Sequence, residues 1–84
     1  MRHINNVREL RQALADGKRE FKIHLCGGAV YSSKYITPCS DGRFGVLNYF
    51  NGSIERLTAS ELVTHSNIGR AMRQKAFTTE EDVF

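Results

Sequence analysis

The chain predicts an α+β fold. The expected form is a two-layer sandwich of an antiparallel sheet of three or four strands, an N-terminal helix and a C-terminal helical region that is one kinked helix or two short ones. Three observations carry this. The apolar period is helical up to residue 16, becomes two from Phe21, and is helical again after residue 58. Asn51-Gly52 stands between Tyr49-Phe50 and Ile54, a strong hairpin signal. Thr58-Ala59-Ser60-Glu61 reads as a capping box, with Leu57 and Leu62 as its hydrophobic staple.

The elements follow in order. Val7, Leu10, Ala13 and Leu14 fall on one face between polar residues, so a helix is expected over about residues 6–16. Asn6 with Glu9 caps its start, and Gly17 lets the chain leave it. Phe21, Ile23 and Leu25 alternate with Lys22, His24 and Cys26, a strand that Gly27-Gly28 ends. Ala29 to Thr37 is rich in β-branched and aromatic residues and predicts a second strand, with a turn at Pro38 and Cys39-Ser40-Asp41-Gly42. Arg43 to Phe50 predicts a third strand, paired through a two-residue type I′ turn at Asn51-Gly52 with a short fourth, Ser53 to Leu57. The last helical region is expected over 59–77, interrupted at Ser66-Asn67, with Ile68, Ala71, Met72 and Lys75 on one stripe.

Eighty-four residues make one small domain, expected over 1–77, followed by a flexible acidic tail, 78–84. Twelve Lys and Arg face nine Asp and Glu, but Glu80, Glu81 and Asp82 belong to that tail; without it the body is +6. No apolar run approaches the roughly 20 residues of a membrane span, and the start lacks the apolar core of a signal peptide, so a cytoplasmic protein without membrane contact is expected.

A core this small leaves little room for a catalytic cleft. His3, His24 and His65 are scattered, and neither Ser32-Ser33 nor Cys26 has a base nearby in sequence, so no catalytic residues are assigned and an enzyme is not expected. No small-molecule substrate is inferred. Cys26 and Cys39 are expected as free thiols. A zinc site of His24, Cys26, Cys39 and His65 matches no finger spacing, so no metal or other cofactor is predicted.

Binding is therefore the expected activity. The sheet face turned away from Phe21, Ile23 and Leu25 would carry Lys22 and could carry Tyr31, Tyr35 and Tyr49. With Lys34 and Arg43 these are the cation and ring pairings that single-stranded nucleic acid uses. Arg70, Arg73 and Lys75 form a second basic cluster on the last helix, where Asn67, Arg70, Arg73 and Gln74 would be the groove-facing residues of a helix-turn-helix. A helix-turn-helix comparison fails there on the short turn and the missing third helix, and cations in a last helical turn are expected anyway from the helix dipole. The sequence thus suggests a small binding module associated with nucleic acid through a basic surface. The alternative is a protein-interaction or regulatory module that meets another protein, or a second copy of itself, through the sheet face or edge.

Overall fold

Asn6 begins the first helix through its side chain, which accepts the Glu9 N–H at 2.9 Å, while the Glu9 carboxylate accepts the Asn5 N–H at 2.7 Å. This helix, α1, spans Val7–Ala15 in the computed structural model, which describes residues 2–24, 30–48 and 51–79, with the backbone alone for 30–33. It ends in a Schellman motif. The Gly17 N–H reaches the Leu14 carbonyl and the Lys18 N–H the Ala13 carbonyl, both at 3.0 Å, with Gly17 at φ 93°.

Four strands follow: β1 at Glu20–His24, β2 at Val30–Pro38, β3 at Phe44–Asn48 and β4 at Ile54–Leu57. Pro38 closes the β2 ladder opposite Phe44 instead of opening the turn; at a strand end its missing N–H costs little. The turn itself is held by the Cys39 N–H on the Arg43 carbonyl at 2.8 Å and by Gly42 at φ 86°. Cys39 is a half-buried free thiol there. Leu25, Cys26, Gly27, Gly28, Ala29, Tyr49 and Phe50 lie outside the described residues.

The hairpin between β3 and β4 departs from the expected type I′ turn. Gly52 has the positive φ that such a turn needs, at φ 70°. The last ladder bond runs from the Asn48 N–H to the Ser53 carbonyl at 2.9 Å, so the loop is longer than two residues. Asn51 acts through its side chain, accepting the Ser53 N–H at 3.0 Å and the Ser53 hydroxyl at 2.8 Å.

The capping box forms as the sequence predicts. Thr58 Oγ1 accepts the Glu61 N–H at 3.1 Å and the Glu61 carboxylate accepts the Thr58 N–H at 2.9 Å, opening α2 at Ala59–His65. The Thr58 backbone bond, then its side chain, hold the Glu61 carboxyl below its ordinary value of 4.5, with smaller help from the charges of Arg43 and His65. A carboxyl whose pKa is lowered on folding adds stability above its unfolded pKa and loses it as the pH falls through the folded one. Thr58→Ala is expected to cost about 1 kcal/mol, the usual cost of a lost N-cap. The deficit of Glu61→Gln against wild type should be present at neutral pH and close as the pH falls through the lowered pKa. Urea midpoints across a pH series measure both; a Glu61→Gln deficit that stays constant into acid contradicts the assignment.

Ser66 ends α2 and caps the next helix, α3 at Asn67–Arg73. Its hydroxyl donates to the Leu62 carbonyl and accepts the Gly69 N–H, the latter at 3.2 Å. The expected interruption at Ser66-Asn67 is thus a break into two short helices.

The C-terminal end differs from expectation. Helix α3 stops at Arg73, and Lys75 sits at φ 55° in a second Schellman motif: its own N–H bonds the Met72 carbonyl at 3.1 Å and the Ala76 N–H bonds the Ala71 carbonyl at 2.8 Å. Lys75 is therefore exposed beyond the helix and off the stripe. Phe77–Thr79 then forms β5, antiparallel to β1. Thr78 and Thr79, expected in the tail, are buried at 1% and 2% exposure with their hydroxyls bonded: Thr78 Oγ1 lies 2.7 Å from His24 Nε2, and Thr79 Oγ1 accepts the Arg2 N–H at 3.2 Å. Glu80, Glu81, Asp82, Val83 and Phe84 lie outside the described residues.

The fold is thus a small α+β one, with five antiparallel strands in the order β4-β3-β2-β1-β5 and three helices among the described residues. Residues 2–4 pair along β5, through the His3 to Thr78 bridge and the Ile4 N–H on the Phe77 carbonyl at 2.8 Å. One buried cluster joins Leu10, Leu14, Leu62, Ile68 and Met72 of the helices to Phe21, Ile23, Ile36, Phe44, Val46 and Phe77 of the strands. The register gives all of these strand residues one parity. Among the described residues no helix is long and apolar enough to cross a membrane.

Candidate functional site

The strand register sorts the expected binding residues. Phe21 is opposite Lys34, and Glu20 is opposite Tyr35, which is opposite Leu47, which is opposite Ile54. Residues directly opposite share a face. Phe21 is fully buried, so Lys34 shares the face of the core, while Tyr35, Leu47 and Ile54 form a row across three strands on the other face. Ile54 is 70% exposed, and Leu47 and Tyr35 are half-buried.

Of the expected cation and ring set, Lys22 and Tyr35 stand on this second face. Lys22 is one ladder step from the row, opposite Ser33 and Thr78. Arg56, opposite Gly45, adds a cation that sequence reasoning did not single out; parity counted back from the hairpin carries the signal for it. Lys34 does not join them, because a one-residue step along a strand turns a side chain to the opposite face. Arg43 lies at the β2–β3 turn, paired with Asp41 at 3.5 Å. Arg70 and Arg73 are exposed on α3, and the Arg73 guanidinium donates to the Val63 carbonyl at 2.6 Å, which ties α3 to α2. Tyr49 and the side chain of Tyr31 lie outside the described residues. The five cations named from sequence are thus divided between both sheet faces, a turn and a helix.

Among the described residues β4 is an edge strand of the sheet, and it carries Glu55 and Arg56. Adjacent opposite charges on a short edge strand oppose strand addition by another chain. In a twofold antiparallel pairing that sets Ile54 against Arg56 of a second copy, Glu55 would meet Glu55, two like charges directly opposite.

On the core side, the corner where β2, β3 and β4 run past the α2–α3 junction holds a cleft of about 350 Å³. Lys34, Asn48 and Glu55 enter it from the sheet, Asn51 from the hairpin loop, and His65 and Asn67 from the helix junction. Sequence reasoning missed this cleft, since its residues come from five separate segments. The one available signal was the polar character of Lys34 and Asn48 at positions with the parity of Ile36 and Val46.

Comparison of the chain with known protein families, with curated proteins and with solved structures finds no match in any of the three.

Proposed function

We propose that the chain is a non-enzymatic binding module built in two layers, with its helices over one sheet face and the other face presented to a second protein chain, a copy of itself. The in-register row of Tyr35, Leu47 and Ile54 carries the reading. A large aliphatic side chain left 70% exposed at the end of such a row is surface that association removes from water. The row is also self-complementary. A twofold axis along the strands brings Tyr35 of one copy over Leu47 of the other. It also brings Glu20, at the β1 end, beside the β4 end that carries Arg56.

Nucleic acid is the second reading, favoured by Lys22 and Tyr35 sharing this face. It is weakened by the aliphatic Leu47 and Ile54, which offer no ring for a base to stack on, and by the position of Lys34, Arg43, Arg70 and Arg73 elsewhere.

Sedimentation velocity separates the two. The wild-type chain is expected to dimerise by about 100 μM, and Leu47→Lys to remain monomeric with the melting temperature of the dilute wild-type chain, because its side chain does not enter the core. A wild-type monomer throughout that range overturns the reading. If a single-stranded oligonucleotide then binds with an affinity that falls steeply with salt, and Lys22→Ala reduces that slope, the nucleic-acid reading replaces it.

A further inference from the structure

The face of the sheet that builds the core is apolar at Phe21, Ile23, Ile36, Phe44, Val46 and Phe77, yet at one corner the same parity delivers Lys34, Asn48 and Glu55. Lys34 and Asn48 are half-buried there and Glu55 is exposed, and sites where a chain breaks its own pattern are where function is expected. Among the described residues neither the Lys34 ammonium nor the Glu55 carboxylate has a hydrogen-bond or ion-pair partner. Both line the same cleft.

Their separation explains why they do not pair. Lys34 is on β2 and Glu55 on β4, with β3 between them, so their strands are about 10 Å apart across the sheet. That leaves an ammonium on one wall and a carboxylate on the other, with a gap between them. A ligand that completes the arrangement carries a carboxylate toward Lys34 and an ammonium toward Glu55. Two hydrogen bonds of about 2.8 Å, plus the few ångströms between the charged ends of a small zwitterion, fill such a gap. Asn48, Asn51 and Asn67 line the same space, and Asn67 brings to it a carboxamide that can both donate and accept. A volume of about 350 Å³ is at the small end for ligand sites and suits a molecule of amino-acid size.

We propose that this cleft is a binding site for a small zwitterion of the free amino-acid type, held by Lys34 at its carboxylate and by Glu55 at its ammonium. The site is on the opposite side of the sheet from Tyr35, Leu47 and Ile54, and it stands whether or not that face binds a partner.

The test is a titration of the ¹⁵N-labelled full chain with each of the twenty standard amino acids, and with acetate and methylammonium as half-ligands, followed by amide shifts. At least one amino acid is expected to shift the amides of Lys34, Asn48, Glu55 and Asn67 saturably, and to bind more tightly than either half-ligand. Lys34→Met keeps the bulk of the side chain without its charge, and Glu55→Gln does the same for the carboxylate. Each should weaken binding about tenfold or more, as expected for loss of a charge-assisted hydrogen bond, with the spectrum otherwise that of a folded chain. Leu47→Lys, on the other face, should leave it unchanged. No saturable shift with any amino acid overturns the proposal. So do equal affinities for acetate and the best amino acid, which would mark a simple anion site, and unchanged affinity in both cleft variants.

Discussion

Gly69→Ala is expected to destabilise the domain by about 3 kcal/mol or more, although alanine is the better helix former by about 1 kcal/mol. A Cβ at Gly69 would lie 2.2 Å from the Val63 carbonyl oxygen and 2.5 Å from that of Leu62. Both are backbone atoms at the end of α2, so no side chain can swing aside to relieve the contact. Helix α3 would have to move away from α2 as a unit. That movement strains the Ser66 hydroxyl, which bonds both helices, and the Arg73 guanidinium on the Val63 carbonyl at 2.6 Å. A domain of this length has about 4–12 kcal/mol of total stability, so the loss is a large part of it. Thermal and urea unfolding of the purified variant measure the effect. A variant as stable as wild type would mean that the two helices do not cross this closely.

Phe77→Ala carries the second large effect, a loss of about 3–5 kcal/mol, the usual cost of emptying a buried phenylalanine site. Phe77 is fully buried and stacks on Phe21 with ring centroids 5.2 Å apart and planes 7° from parallel. Its carbonyl also accepts the Ile4 N–H at 2.8 Å, so the residue joins the N-terminal segment to the sheet at the point where β5 pairs with β1. Phe21 cannot fill the space, because its backbone is held by ladders on both sides, opposite Lys34 and Thr79. A shift of the urea midpoint at constant slope is the expected signature. A shift no larger than that of an exposed substitution would place Phe77 outside the core, as the end of a frayed helix would be.

These two positions show where reading the chain stops. Gly69 within a helical pattern looks like a residue of poor propensity; its necessity comes from α2, whose carbonyls approach it only after the chain has turned at Ser66. Phe77 follows ten residues of helical pattern, and Lys75 does not announce a left-handed stop in the way that Gly17 does after α1. A three-residue strand contains too few alternations to be seen as a period, and β5 exists because β1 offers it an unpaired edge. The hairpin loop is a similar case. Asn51-Gly52 correctly marks the reversal, but the register of β3 against β4 sets the loop length, and the core side chains Phe44 and Val46 fix that register.

The candidate site divides in the same way. Lys22 and Tyr35 were legible because Lys22 alternates with the apolar Phe21 and Ile23, and Tyr35 was one of the few rings in a β-rich run. Their common face, and the exclusion of Lys34 from it, required the pairing of Glu20 with Tyr35 and of Phe21 with Lys34. The cleft around Lys34 was not legible at all, since a cavity is defined by what fails to meet across space.

The sequence by itself determined the local features: the Asn6 and Thr58 caps, the Gly17 exit, the apolar stripe of α1, the parity of β1 and the break at Ser66. Each of these is decided by residues within a few positions of one another, and short-range hydrogen bonding and periodicity act at that distance. Tertiary structure alone decided β5, the close α2–α3 crossing, the side of the sheet on which Lys34 stands and the existence of the cleft. Each depends on which distant segment supplies the opposing backbone or side chain, a choice made by the burial of one shared core and by the pairing of strand edges.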